Sequence, residues 1–349
     1  MLVAMLLMMS GCSKPEPEVQ RDPVKLTLLA LSMNEKEANV VRDQLKKAGI
    51  ELEVKIYPDN GTFVTATETG QYDMGIRGYS GAGSPDANVR GPFHSKGVWN
   101  ITGCADPDID RLIDLAATQM SDVALETYKE LEQALVVDKA LAMPLYNGKK
   151  TYAVNKNVVD PASIETSVGG ARWLWCTDYV DKSLRDTRPY VMGISWPNPN
   201  NFDCLQGRDG STYYQRTNIN VPLIQCAMGG IVTTRGSLTK NYTASEGNLD
   251  FYFLLRTDIN FGTVKDGKAV DTGMLVAAED VKFTYDRAIE NKTPGGVGAS
   301  YLSYVKEVNI VTDLEALESA KTSGSDKSVF ETLNEGLDKP FTALASNRD

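Results

Sequence analysis

Apolar positions recur along this chain with two different periods, and the switches between them predict its elements. Residues 25–31 (KLTLLAL) form a near-continuous apolar run, the mark of a strand buried on both faces of a parallel sheet. Ala38, Val41, Leu45 and Ala48 then recur at spacings of three and four, which predicts an amphipathic helix stopped by Gly49. Residues 51–57 (ELEVKIY) turn to period two, with Leu52, Val54 and Ile56 inward and Glu51, Glu53 and Lys55 outward. Strand, helix and strand with short links make a βαβ unit, expected to be right-handed. A further strand is predicted over 72–76. From its end a long Gly/Ser/Pro loop runs to residue 100, carrying Tyr79, Phe93 and Trp99. Loops of this length are functional or disordered, and three aromatics argue against disorder. It is expected to line a ligand cleft at the carboxyl ends of the strands.

Beyond the loop, Asp106-Pro107 has the form of an N-cap followed by proline at the first helical position, with Ile109, Leu112, Ile113 and Ala116 as the apolar face. A second helix, capped by Ser121 or Asp122, presents Leu125, Tyr128, Leu131 and Leu135. Residues 143–146 (MPLY) and 151–154 (TYAV) are predicted to return to the sheet as strands. Later in the chain, 249–256 (LDFYFLLR) alternates as a strand and Asp266-Gly267 is a hairpin turn. Ala277, Val281, Tyr285, Ala288 and Ile289 form a helical stripe, and 303–313 (SYVKEVNIVTD) is predicted to be a strand.

Composition narrows the class. A chain of 349 residues normally makes two or more domains, and 42% apolar with 23% charged residues supplies an ordinary globular core. A formal net charge of −10 with no basic block argues against nucleic acid, which needs clustered Lys and Arg. The apolar run over 2–9 is too short to span a bilayer. Together with Met9-Ser10-Gly11-Cys12 and the charged, Pro-rich stretch behind it, this beginning resembles a bacterial lipoprotein signal, which implies lipidation of Cys12. A cleaved secretory signal with an incidental Cys12 is the alternative. Either implies export, with 14–23 as a flexible tether.

Cys104, Cys176, Cys204 and Cys226 remain; outside the cytoplasm they allow two disulfides in three connectivities, and their spacings match no zinc pattern. His94 is the only histidine, so a metal site built on imidazoles is excluded. Neither a catalytic constellation nor a cofactor motif emerges, and the chain is expected not to be an enzyme.

Read in order, KLTLLALSMN, LKKAGIELEV, GQYDMGIRGYSG, FHSKGVWNITG, DPDIDRLIDLA and YKELEQALVVDKALAMPLYNGKK make residues 25–159 resemble the C-terminal third of the family 5 extracellular solute-binding proteins. This is the dipeptide, oligopeptide and nickel class that feeds ABC importers. Residues 190–202 (YVMGISWPNPNNF), LDFYFLLR, INFGTVKDGKAV, AEDVKFTYDR and LNEGLDKPFTALAS resemble the same family's beginning, as an opening strand and loop, a hairpin, a helix and the segment after it. The order is thus inverted, and a middle portion has no counterpart; an artefact of the gene sequence stays open as an alternative.

The resemblance implies an α/β, two-lobe periplasmic-binding-protein-like (Venus-flytrap) fold, permuted and incomplete. The expected divisions are 1–22 as signal and tether, 23–160 as one lobe, 161–189 as linker or hinge, and 190–349 as the other lobe. It further implies a small polar or peptide-like ligand enclosed between lobes that close about a hinge, delivered to a membrane permease by a lipid-anchored extracytoplasmic protein. A sensory or interaction lipoprotein, or a rearranged fragment without function, are the alternatives.

Expected ligand residues are Arg77, Tyr79, Ser80, Asp86 and Trp99 from one lobe and Trp196, Asn198 and Asn200 from the other, as aromatic walls and polar orienting groups. Plain core packing accounts equally well for Trp99 and Trp196, and turn chemistry for Asn198 and Asn200. Dipeptide-binding relatives carry an Asp that pairs with the ligand's α-ammonium where Ala82 stands here, in Gly78-Tyr79-Ser80-Gly81-Ala82. A buried ammonium without a counter-charge is costly, and Asp86 substitutes only in a re-folded loop. The expectation is therefore weak binding of peptides through a free N-terminus, and preference for a glycoside, a blocked peptide or a metal chelate.

Overall fold

The computed structural model describes residues 22–79, 84–97, 99–119, 121–149, 151–166, 172–193, 202–203, 205, 210–290, 302 and 304–344. They divide into two compact units. One is the described chain up to Tyr79 with Ile101–Gly103, and the other is the remainder.

In the first unit the expected βαβ pattern is realised. Strand β1 (Val24–Leu31) lies at the centre of a three-stranded sheet of order β2-β1-β3. Helix α1 (Glu35–Lys47) leads into β2 (Ile50–Tyr57), which runs parallel to β1 in unbroken register from Val24↔Ile50 to Leu31↔Tyr57. Helix α2 (Asn60–Glu68), capped by the Asp59 carboxylate on the Thr62 N–H at 2.9 Å, precedes β3 (Met74–Ile76). That strand pairs with β1 only over Leu28–Ala30, so the strand predicted over 72–76 is shorter than its pattern.

The apolar run of β1 is buried as read: Leu28, Leu29 and Ala30 are almost wholly shielded. Leu28, Ala30, Ala38, Leu52 and Ile76 pack with Val41, Leu45 and Val54. Gly49 ends α1 with φ +80°, in the left-handed region that favours glycine. Ile56 departs from its pattern and is exposed, near the end of β2, an edge strand of the sheet among the described residues.

The second unit opens with a correction. The stretch predicted to be one long loop contains helix α3 (Pro85–Phe93), with Ser84 at its N-cap position and Pro85 at its first position. The Ser-Pro pair read as loop punctuation is helix-start chemistry. Helix α4 (Pro107–Ala117) begins as expected, with the Asp106 carboxylate accepting from the N–H of Asp108 at 2.9 Å and of Ile109 at 3.3 Å. Ile109, Leu112, Ile113 and Ala116 are all buried.

Helix α5 (Ser121–Gln133) continues through a π-turn over Ala134–Asp138 and packs Leu131 and Leu135 against α4. Leu125, expected on that stripe, is exposed, and Ala124 and Thr127 are buried instead. The buried row is thus 124, 127, 131 and 135: Leu131 and Leu135 hold their expected places, and only the first two positions stand one residue earlier than expected.

Several predicted strands do not form. Residues 141–149 and 151–155 carry no regular structure, with Met143 and Tyr146 each 66% exposed. The same is true of 190–193 and 305–313. Apolar alternation permits a strand, but only a paired ladder makes one.

The rest of this unit consists of short antiparallel pairs: β4 (Glu165–Thr166) with β5 (Arg172–Trp173), β6 (Gln225–Cys226) with β7 (Val232–Thr233), and β8 (Thr239–Ala244) with β9 (Phe251–Leu255). Helix α6 (Gly210–Ile219) lies between β5 and β6 in sequence. Strands β10 (Asn260–Lys265) and β11 (Lys268–Leu275) form the predicted hairpin, with Asp266 at φ +53° and Gly267 at φ +74°. Both central residues in the left-handed region define the turn type that Asp-Gly favours.

Helix α7 (Ala278–Ile289) follows as expected, its Asp280 side chain accepting the Ala277 N–H at 2.9 Å. Helices α8 (Leu314–Ser319) and α9 (Val329–Asn334) pack Leu317, Val329 and Leu333 against Tyr252 and Leu254 of β9.

Cys104, Cys176 and Cys226 form no disulfide, so neither of the two bridges that four cysteines allow is made by them; Cys204 lies outside the described residues. Among the described residues no helix is long and apolar enough to cross a membrane.

Candidate functional site

Of the expected ligand residues, Ser80, Trp196, Asn198 and Asn200 lie outside the described residues, as does Cys12. Arg77 and Tyr79 belong to the first unit, Asp86 and Trp99 to the second. Arg77 follows directly on β3. One of its terminal nitrogens is shut off from solvent, and burial pulls the guanidinium below its ordinary value while the neighbouring Tyr79 opposes this. Tyr79 is 47% exposed. Asp86 sits in the first turn of α3 with both carboxylate oxygens engaged by Arg90 Nε, at 3.1 and 3.0 Å. The fallback acid for a ligand ammonium is therefore already occupied. Trp99 is half-buried and donates its backbone N–H to the Gly91 carbonyl at 3.0 Å.

A polar cluster joins α3 to α4. Arg90 sits four residues after Asp86, on the same helical face, and reaches Asp114 Oδ1 of α4 at 2.7 Å through Nη1. This guanidinium holds the Asp114 carboxyl below the usual carboxylate range, against the opposing effect of partial burial. His94, at the end of α3, is buried. Its Nδ1 accepts the Lys96 N–H at 3.0 Å, and its Nε2 lies 3.5 Å from Asp114 Oδ1. Asp110 takes the Ser95 N–H at 2.8 Å together with the Ser95 hydroxyl.

Asn100 closes the turn. It donates to the carbonyls of His94 at 3.2 Å and Cys104 at 2.7 Å, and accepts the Cys104 N–H at 3.2 Å. Gly97 is required here by close approach: a Cβ at that position would stand 2.2 Å from the Gly91 carbonyl oxygen. Asp106 and Lys139 form an ion pair that ties the start of α4 to the end of α5. Sequence reading quoted these segments but missed the cluster. Its signal was the pair of i,i+4 spacings, Asp86 to Arg90 and Asp110 to Asp114, beside the apolar stripe.

A second cluster had no sequence signal, because Arg235, which joins its members, stands about sixty residues or more along the chain from Glu165, Trp175 and Cys176. Trp173 and Trp175 stack at 5.2 Å with a 24° interplanar angle, and Arg235 lies 5.3 Å over the Trp175 ring. Arg235 Nη1 bonds both Glu165 oxygens, at 2.8 and 2.7 Å, and its Nη2 donates to Cys176 Sγ at 3.5 Å. Burial first, then the Glu165 charge, pushes the Cys176 thiol up to about 11, so the sulfur is an unreactive neutral thiol. The buried Trp173 Nε1 has no hydrogen-bond partner among the described residues.

A depression of about 350 Å³ lies along β1 and β2 beside Lys25, Thr27, Glu51 and Glu53, and one of about 510 Å³ beside Lys321, Asp326 and Glu331. Neither takes in an expected ligand residue. Among the described residues no group of three or more His, Cys, Asp or Glu side chains is placed to hold a metal ion.

No family model matches this chain, and no curated protein does. Solved structures do. The oligopeptide-binding protein AppA from Bacillus subtilis, in complex with a nonapeptide, is 25% identical over 33% of this chain and 24% of its own, with a TM-score of 0.30. The nickel ABC transporter from Bacillus halodurans is 19% identical over 35% of this chain and 27% of its own, at 0.31. The ABC transporter-associated periplasmic binding protein DppA from Helicobacter pylori, in complex with the peptide STSA, is 21% identical over 34% and 25%, at 0.30. This chain thus spans about a quarter of the length of each.

Proposed function

We propose that this chain is the substrate-binding component of an ABC importer, working by capture and delivery of a solute and not by catalysis. The observation that carries this reading is order. The segments from KLTLLALSMN to YKELEQALVVDK, in the succession they have in family 5 solute-binding proteins, coincide with β1, the α1–β2 link, β3, the 94–104 turn, α4 and α5. In this reading Cys12 carries a lipid anchor, the protein works outside the cytoplasm, and a membrane permease is its partner. The two halves are a permuted pair of lobes, and Arg77, Tyr79, Ser80, Trp99, Trp196, Asn198 and Asn200 supply aromatic walls and polar orienting groups.

Ligand class follows from charge. Ala82 stands where relatives use an acid, and the Asp86 carboxylate is held by Arg90. A free α-ammonium would then enter the cleft uncompensated, at a cost of several kcal/mol. Peptides with a free N-terminus should bind weakly or not at all, and blocked peptides, glycosides or metal chelates are the favoured class.

Calorimetric titration with matched free and N-acetylated di- and tripeptides, a glycoside panel and nickel chelates tests both points. Saturable binding of one class lacking the ammonium is expected. Binding of free peptides alone, retained in Asp86→Asn, refutes the ligand argument. No saturable binding in any class counts against the transport reading. Anchoring is tested separately: the parent should partition into detergent, and Cys12→Ala into the aqueous phase.

A further inference from the structure

We propose that His94 is a pH-operated latch on the turn that carries Trp99. The observation is an imidazole that must change hydrogen-bonding role when it gains a proton, at a point where the chain has no slack. With Nδ1 accepting the Lys96 N–H at 3.0 Å, the neutral ring carries its proton on Nε2, facing Asp114 at 3.5 Å. A second proton, taken from solvent onto Nδ1, turns that nitrogen from acceptor to donor. The Lys96 N–H then meets a donor, loses its bond, and must turn to water. The protonated Nδ1 has a waiting acceptor in Asp110 Oδ1, 3.7 Å away.

The charged groups about the ring come from two helices: Asp110 and Asp114 face it from α4, and Asp86 and Arg90 stand on α3, with Arg90 paired to Asp86 and Asp114. One layer out, Tyr128 of α5 and Tyr304 sense the charges of Asp86 and Arg90. Lys96 is itself exposed. An imidazole is the side chain whose charge changes within the physiological span.

The turn transmits the change because it is closed on both sides. Gly97 is pressed against the Gly91 carbonyl, Trp99 bonds the same carbonyl, and Asn100 ties the His94 carbonyl to Cys104. In the neutral state this arrangement holds 95–97, Trp99 and Asn100 to the end of α3. In the protonated state the Lys96 anchor is released and the ring is drawn onto α4. The inference stands on this geometry alone and is independent of the ligand and transport readings.

The test is a titration of the ¹⁵N-labelled full chain from pH 8 to pH 5 by NMR, with an affinity tag free of histidine. Because His94 is the sole histidine, its ring nitrogens are read without assignment by mutation. At pH 8 the ring should show an unprotonated Nδ1 and a protonated Nε2. On acidification the Lys96 amide shift should move with the same midpoint as the ring. Its hydrogen exchange, corrected for the intrinsic pH dependence, should speed up about fivefold, as for the loss of one net hydrogen bond. His94→Asn, whose side-chain oxygen can keep the Lys96 N–H without titrating, should remove both changes; if that variant does not fold, the parent titration decides alone. A Lys96 amide indifferent to the ring, a neutral ring protonated on Nδ1, or changes that persist in His94→Asn would each overturn the latch.

Discussion

Strand β1 buries Leu28, Leu29 and Ala30 almost completely, whereas in the β10–β11 hairpin every residue but Leu275 is exposed. Both were legible in the sequence, but through different signals. The first was an unbroken apolar run, which forms a strand because helices and neighbouring strands remove it from water. The second was Asp266-Gly267, a turn whose backbone twist matches the strands on either side and sets their register from Val264↔Ala269 to Lys265↔Lys268. One strand is held by what packs on it and the other by how its turn is made. The lesson is that a strand's stability need not come from the feature that predicts it.

The largest expected contrast is in side-chain truncation. Leu28→Ala should cost about 3 kcal/mol, as for a fully buried leucine, while Val264→Ala, 74% exposed, should cost less than about 0.5 kcal/mol. Urea unfolding measures both, and comparable losses would dissolve the distinction.

Reversing the contrast needs a change in the turn. Gly267→Ala forces a Cβ into φ +74° and should destabilise the hairpin by about 1–2 kcal/mol. Hydrogen exchange should quicken across 260–275 while the β1 amides keep their protection. Loss of protection in β1 as well would mean that the hairpin is not an autonomous element.

A third mode of support is a side chain that secures backbone ends. Ser328 and Glu331 form a reciprocal capping box at α9, with the Glu331 N–H donating to Ser328 Oγ at 3.1 Å and the Ser328 N–H to Glu331 Oε2 at 2.8 Å. Ser328→Ala should cost about 1 kcal/mol, between the buried and exposed extremes. A cost like that of Val264→Ala would remove the cap as a contributor.

The smallest effect is electrostatic. The Asp114 carboxyl is held low chiefly by its hydrogen bond to Arg90. A carboxyl with a lowered folded-state value contributes stability that is complete above its ordinary range, about pH 4. That contribution is lost as pH falls through the lower folded value. Since the Asp114 side chain is 60% exposed, solvent screens the pair and the effect is small. Acid unfolding followed by circular dichroism should be slightly steeper below pH 4 in the parent than in Asp114→Asn; identical curves would show that the pair contributes nothing.

Local signals carried much of the fold. The stripes of α1, α4 and α7, the Asp106-Pro107 start, Gly49 as a stop and the Asp266-Gly267 turn all depend on residues within a turn or two of one another. The segments over 143–146, 151–154 and, among the described residues, 305–313 have strand-like patterns, yet no ladder forms there, because pairing requires a partner from elsewhere in the chain. The Gly/Ser/Pro stretch that follows β3 differs from a loop for the opposite reason: Ser84 and Pro85, residue types common in loops, begin a helix.

At the candidate site, sequence reading singled out Asp86 and Trp99 but not what they touch. That Asp86 is held by Arg90 was within reach, since the two stand one helical turn apart. That Arg90 also binds Asp114, or that Arg235 lies over Trp175 and holds Glu165, was not, because those contacts join residues far apart in sequence.

By itself, the sequence determined the stripes of α1, α4 and α7, where α4 starts and α1 stops, and which hairpin turn is made, since these are settled by neighbours within hydrogen-bonding reach along the chain. Only the tertiary structure decided which apolar stretches find a ladder partner, that Cys104, Cys176 and Cys226 form no disulfide, and that His94 is enclosed by Asp110 and Asp114. Each of these depends on two surfaces meeting in space, and no local preference specifies which surface a chain will meet.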